Sequence, residues 1–356
     1  MLDFVQINVD INTKEKKREA IIYPEFIVQH SSDLMIRGKN FYAVWDEKAG
    51  IWSRDEYNIA RIIDEELEAK YKEVISTKLD NKEVLEGFKV KVRTLKKSSS
   101  GKYYEWVRFK TNLPDNYHEL DTKVIFANDE IKKEDYASMK LSYPLAKGPI
   151  DAYDELMSTL YDDSERDKLE WAIGAIISGD SKRIQKFIVL YGEAGSGKST
   201  VLNIVQMLFD GYWTAFEAKT LASSNDSFAL EAFKMNPLVA IQHDGDLSRI
   251  EDNTKLNSIV SHETMLVNEK NKPKYPMKFN SFLFMGTNKP VKITEAKSGI
   301  IRRLIDVHPS GRKLPYDRYQ ALMNQTKFEL GGIAYHCLKK YQSMGSSYYD
   351  KYKPVD

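Results

Sequence analysis

The spacing of apolar and polar positions changes character at about residue 150. Upstream, short periods are mixed. VQINVDI (5–11) alternates as a half-buried strand does, and FYAVWDEKAGIW (41–52) predicts two short strands around a Lys48-Ala49-Gly50 turn. From Asp55 to Tyr71 the period becomes helical, with Ile59, Ile62, Ile63 and Leu67 on one stripe. KVKV (89–92) is strand-like, KVIFANDEI (123–131) predicts another strand, and Pro144, Gly148 and Pro149 mark an extended linker.

Downstream the elements lengthen. ERDKLEWAIGAIISG (165–179) carries a helical stripe at Leu169, Ile173, Ile176 and Ile177. Buried strands are expected at 187–191, 238–243, 264–268 and 281–286, alternating with helices, which argues for a parallel sheet. From about 316 the chain turns helical again. The expectation is an α/β protein: a small α+β domain over 1–150, a larger domain with a central parallel sheet over 151–315, and a helical tail over 316–356.

Composition narrows the setting. The chain has 356 residues, and a net charge of +1 leaves no global field to draw it onto nucleic acid or membrane. Any such binding must come from local clusters. A single cysteine, Cys337, excludes an intrachain disulfide and a multi-cysteine metal site. No apolar run approaches the roughly 18 residues of a membrane span, and no signal-peptide core opens the chain, so a cytoplasmic protein is expected.

The chemistry concentrates in KFIVLYGEAGSGKST (186–200). Gly192, Gly197, Lys198 and Ser199 occupy every fixed position of a G-x-x-x-x-G-K-[ST] phosphate loop, between an apolar strand and a helix-forming segment. Glycines allow backbone N–H groups to turn inward on phosphate oxygens, and the helix N-terminus adds partial positive charge. Gly192, Glu193, Ala194, Gly195, Ser196, Gly197, Lys198, Ser199 and Thr200 are the expected nucleotide-binding residues. ATP is the expected ligand, with Mg²⁺ on the Ser199 hydroxyl and on a carboxylate from a partner strand. PLVAIQHDGDL (237–247) supplies that carboxylate: Asp244 and Asp246 follow a short apolar strand, with Asp244 the metal candidate. Which of the two polarises water stays open, and either also suits a helix N-cap. Asn288 ends the next strand, where an amide reaches a γ-phosphate or its lytic water, although Thr287-Asn288 also suits a turn. Arg302 and Arg303 follow, candidates for stabilising transferred charge or for a surface ion pair. RTLKKSSSGK (93–102) reads as a solvated hairpin loop, with a DNA-touching loop as the alternative.

Taken in order, the phosphate loop, acidic strand end, Lys-rich hairpin, strand ending in Asn, and Arg pair resemble a superfamily 3 helicase, more narrowly the phage, plasmid and poxvirus primase–helicase group. The resemblance covers about 150–310 and extends weakly upstream. It implies an AAA+-type P-loop NTPase core, a homo-oligomeric ring (usually a hexamer), and ATP-driven translocation on single-stranded or forked DNA in DNA replication. It further implies a catalytic set of Lys198, Asp244, Asp246, Asn288, Arg302 and Arg303, with one arginine acting as a finger on the neighbouring subunit's nucleotide. Thr264 to Lys278 matches the family's DNA-contacting hairpin, with Lys270, Lys272 and Lys274 near its tip. The second motif has only Asp where the family often has Glu, which leaves the base unassigned. No primase carboxylate set is evident and no appended DNA-binding domain is expected after 310, so a separate primase or polymerase is the expected partner, in the host cytoplasm of a phage or mobile element. Competing readings are a ring ATPase that remodels or loads replication proteins or packages DNA, a P-loop small-molecule kinase, and a nucleotide-gated scaffold.

Overall fold

The computed structural model describes residues 1–12, 19–28, 30–38, 40–74, 76–77, 89–92, 115–222, 228–246, 252–270, 274–289 and 299–350. The chain forms two compact units, one of residues 1–120 and 131–138, the other of 121–130 and 139–356.

In the first unit β1 (Val5–Asn12) pairs antiparallel with β2 (Glu19–Phe26). β3 (Leu34–Arg37), β4 (Asn40–Asp46) and β5 (Ile51–Ser53) form an antiparallel meander. α1 (Glu56–Val74) buries the predicted stripe, Ile59, Ile62, Ile63 and Leu67, in a core with Phe4, Phe26 and Phe41. β6 (Lys89–Val92) adds in parallel to β2. The segment 93–102 lies outside the described residues.

KVIFANDEI does not become a strand. Its apolar residues Val124, Ile125 and Phe126 are buried. The Asp129 carboxylate accepts the Phe126 N–H at 2.8 Å and turns the chain. Asp129 N–H turns back to Phe126 O at 3.0 Å, and across to the following segment only Leu141 N–H to Ile125 O and Ala127 N–H to Tyr143 O pair among the described residues.

The second unit opens with α2 (Asp151–Leu160) and α3 (Asp163–Ser178). α3 is buried continuously from Lys168 to Ile177, not along one stripe alone. β7 (Phe187–Tyr191) leads into α4 (Lys198–Leu208), followed by β8 (Trp213–Ala215), α5 (Ala218–Leu221), β9 (Val239–Gln242) and α6 (Thr254–Val260). β10 (Thr264–Val267) and β11 (Tyr275–Lys278) precede β12 (Phe282–Thr287), β13 (Leu304–Val307), α7 (Tyr316–Thr326) and α8 (Leu330–Met344).

A five-stranded parallel sheet runs in the order β13-β7-β12-β9-β8. Both faces are covered, which is why its strands read as unbroken apolar runs. Along β7, Ile188 and Leu190 enter one core with α3 and α4, while Phe187 and Val189 enter another with α6 and β11. Residues 264–268 do not join this sheet. Thr264–Val267 pairs antiparallel with Tyr275–Lys278 as a two-stranded hairpin, whose outer face stays exposed at Thr264 and Leu266. β8 and β13 were not among the expected strands; β8 has only three residues, too few to establish a period.

α8 packs across α3, and Gly174 makes this approach possible: a Cβ there would lie 2.1 Å from the Cys337 carbonyl oxygen. Cys337 is buried and free. Among the described residues, no helix is long and apolar enough to cross a membrane.

Candidate functional site

The strand register assembles the site. Thr287 of β12 lies opposite Tyr191 of β7, and Met285 lies opposite Gln242 of β9. The carboxyl ends of three parallel strands therefore finish at one edge, where ligands of open α/β sheets bind. The backbone stitches the loops that leave this edge: Gly192 N–H donates to Thr287 O at 3.2 Å, and Gly245 N–H donates to Gly286 O at 2.7 Å.

Between β7 and α4 the loop Gly192–Gly197 folds back on itself. Gly197 takes φ +102°, a conformation closed to most side chains, and a Cβ there would press on Leu160 at 3.2 Å. Lys198 starts the helix and donates to Gly192 O at 2.5 Å and Glu193 O at 2.8 Å, so its ammonium lies over the loop's own carbonyls. The Ser196 hydroxyl is buried and takes no hydrogen bond among the described residues. A cavity of about 610 Å³ opens above the loop, within the size range of small-molecule sites.

Lys198, Ser199, Thr200, Asp244 and Asn288 all line this cavity, together with Ala194, Gly195 and Gly197. Asp246 does not. It lies outside and takes the Lys289 ammonium at 2.6 Å. The two aspartates are thus separated by position: Asp244, the expected metal candidate, faces the cavity, and Asp246 forms an exposed ion pair.

The cavity has a second wall that the sequence reading missed. Leu160, His243, Lys313, Leu314, Tyr316 and Tyr319 line it. The Tyr319 and Thr200 hydroxyls lie 3.1 Å apart. Two contacts from α7, and one from Glu329 at the start of α8, fasten these helices to α2. Leu322 packs with Ala152 and Leu156 of α2. Arg318 pairs with Glu155. Glu329, itself buried, accepts the Ala152 and Tyr153 N–H groups at 3.0 Å each and so caps α2. No local signal marks these residues, which are brought to the loop by packing. His243 is the exception: it adjoins Asp244 and bonds Gln206 of α4 at 2.9 Å.

The arginine pair divides. Both lie on a 3₁₀ turn, Ile301–Arg303, just before β13. Arg302 is exposed and Arg303 is buried. Arg303 Nε and Nη2 donate to the Ser261 hydroxyl at 3.0 and 2.7 Å, and Nη1 donates to Gly299 O at 2.9 Å. Burial, then the adjacent Arg302 charge, holds its guanidinium below arginine's usual pKa. Neither arginine lines the cavity of its own chain.

At the hairpin, Lys270 and Lys274 are exposed at either end of the connection, and Lys272 lies outside the described residues. Tyr275 donates to the buried Glu269 at 2.7 Å and anchors the base of that connection.

A family model described as a family of unknown function, DUF5906, matches residues 190–303, from the end of β7 to the Arg303 turn. Among solved structures, two of the C-terminal region of NrS-1 are similar, each 14% identical over 62% of this chain, at TM-scores of 0.45 and 0.44. The match spans just over half of those chains, 56%. A protein from Cytophaga hutchinsonii, provisionally described as an ATPase, matches at 13% identity over 54% of this chain and 61% of its own, at a TM-score of 0.29. With TM-scores below 0.5, these likenesses add nothing to what the geometry says. The second unit is a mixed α/β body with a five-stranded parallel sheet and a phosphate-type loop at the strand ends, as in a P-loop NTPase-like core.

Proposed function

We propose that this chain is an ATPase whose second unit hydrolyses ATP at the Lys198 loop and uses the energy to move along single-stranded DNA as a ring of identical copies. One observation carries the ATPase reading: Lys198, Ser199, Asp244 and Asn288, drawn from three different strand ends, face one cavity. A glycine turn that carried Lys by chance would have no reason to meet Asp244 and Asn288.

In this reading the loop N–H groups and the Ser196 hydroxyl hold the phosphates, and Lys198 leaves its carbonyl partners for the β- and γ-oxygens. Ser199 and Asp244 would hold Mg²⁺, which when bound would supply positive charge against the phosphates. Asn288 and Asp244 orient a water on the γ-phosphorus. The new P–O bond forms to that water as the bond to the β,γ-bridging oxygen breaks, and the water's proton passes to Asp244 or to solvent. Leu160, Leu314, Tyr316 and Tyr319 give the base an apolar and aromatic wall. Arg302, exposed and outside its own cavity, is the residue free to reach a neighbouring copy's γ-phosphate. Lys270, Lys272 and Lys274 would grip DNA phosphates without reading sequence.

A forked-DNA displacement assay with ATP tests the whole reading. Displacement that disappears in Lys198→Ala supports it. Hydrolysis with neither displacement nor stimulation by single strands would leave a remodelling or loading ATPase, and no hydrolysis at all would sink both.

A further inference from the structure

We infer that Arg303 is a positioning residue, and not a finger: its guanidinium ties the turn that presents Arg302 to Ser261 at the root of the lysine hairpin, so that a load on the hairpin reaches Arg302. This rests on the proposed reading for the roles of Arg302 and the hairpin. The strut itself rests on geometry alone.

Three chain segments meet at one point. The first is residues 184–186, just before β7 and the phosphate loop. The second is Ser261-His262, between α6 and β10. The third is the turn 299–303. Arg303 closes the second onto the third with two hydrogen bonds to one hydroxyl oxygen, at 3.0 and 2.7 Å. His262 closes the second onto the first: its ring nitrogens lie 2.9 Å from Ile184 O and 3.2 Å from Phe279 O. Lys186 closes the first onto the third by donating to Arg302 O.

The triangle matters because of what leaves each corner. β7 carries the first to the phosphate loop. β10 begins two residues beyond His262 and carries the second to Lys270. The third presents Arg302 to solvent. Lys186, His262 and Arg303 are all buried, and the three closures join residues 42 (Ser261–Arg303), 78 (Ile184–His262) and 116 (Lys186–Arg302) positions apart, so no local element accounts for the contact. A guanidinium fork is planar and stiff, and two bonds to one acceptor fix both distance and direction. Lysine on the same stem would keep the charge and lose the fork.

The test uses the full chain, a long oligothymidylate as probe, and Ser261→Ala, Ser261→Thr and Arg303→Lys. Backbone hydrogen exchange is followed at 264–278 and at 299–304, and ATP turnover is measured with and without the probe. In the wild type, the probe should change exchange in both segments and raise turnover. Ser261→Ala should keep the change at 264–278, lose it at 299–304, and show stimulation falling to about onefold with basal turnover retained. Ser261→Thr, which keeps the hydroxyl, should restore both responses. Arg303→Lys should behave as Ser261→Ala at 299–304. The strut is overturned if Ser261→Ala transmits the change as the wild type does, or if the wild type shows no probe-dependent change in either segment. Transmission without turnover in any form leaves the strut standing and removes the ATPase reading; turnover without transmission does the reverse.

Discussion

Thr200, in the first turn after the phosphate loop, and Tyr319, on a helix that begins more than a hundred residues later, bring their hydroxyls to 3.1 Å. The candidate nucleotide cavity is therefore shared between the loop and the C-terminal helices. Its closure depends on α7, which Arg318 and Leu322 hold against α2, while Glu329 at the start of α8 caps α2.

Tyr319→Phe removes one side of that hydroxyl pair but keeps the ring. One neutral hydrogen bond is worth about 1 kcal/mol, so affinity for a non-hydrolysable ATP analogue should fall about fivefold. Tyr319→Ala also deletes the aromatic wall and should cost more. Calorimetric titration checks both, and an unchanged affinity in Tyr319→Ala would move the base elsewhere.

The two aspartates should separate in kinetics as they do in space. Asp244→Asn should lower turnover by roughly 100-fold or more, as loss of a preorganised charged group at the reacting centre does. Asp246→Asn breaks an exposed pair with Lys289, worth at most about 1 kcal/mol, and should leave turnover within about twofold. Steady-state phosphate release distinguishes them, and equal losses would contradict the assignment.

Arg302→Ala should bind ATP with near wild-type affinity and lose about 1,000-fold in turnover, as removal of an arginine finger does. Mixed with Lys198→Ala subunits, it should regain activity, because some sites would then join an intact loop to an intact arginine. No regain, with a monomer by sedimentation, removes the shared-site reading.

Glu329→Ala leaves the Ala152 and Tyr153 N–H groups of a buried helix start without acceptors. A lost cap of this kind costs about 1–2 kcal/mol. The midpoint of thermal unfolding should fall, and affinity for the ATP analogue should fall with it, because α2, on which α7 packs, loses its cap. A drop in stability with no change in affinity would separate the two.

Glu170 sets a pH dependence. Its buried carboxylate accepts from Tyr153, Arg166 and His336 at 3.0, 2.6 and 2.9 Å. Burial pushes its pKa up, but the His336 hydrogen bond and the Arg166 charge outweigh that and hold it below the usual value. A depressed carboxyl pKa in the folded state stabilises the fold above the unfolded value of about 4.3 and loses that stabilisation as pH falls further. Denaturant unfolding should therefore show wild type and Glu170→Gln far apart at neutral pH and converging below about pH 4. A gap that does not change with pH would mean the carboxylate's charge contributes nothing.

Elements with a repeated period were legible in the chain. The α1 stripe is read from four apolar positions and is buried as expected. β7, β9 and β12 are apolar runs because their sheet is covered on both faces. KVIFANDEI misled because apolar content without a pairing partner looks the same as a strand. The Asp129 side chain ends that segment, and few backbone groups across from it continue a ladder. Residues 264–268 were legible as a strand from their own pattern, but their hairpin partner was expected only from the family resemblance, since pairing partners are not written in a strand's own period.

The chain by itself determined the phosphate loop, because the turn at Gly197 and the helix start at Lys198 are set by consecutive residues acting over a few ångströms. It also determined that a carboxylate and an amide follow apolar strands. Only the tertiary structure decided that Asp244 faces the cavity while Asp246 pairs with Lys289, that Arg303 turns inward to Ser261 while Arg302 stays exposed, and that Tyr319 closes the site. Those choices depend on parallel register and on helix packing between residues up to 177 positions apart. Such contacts are fixed by which surfaces bury one another, and no local pattern encodes that.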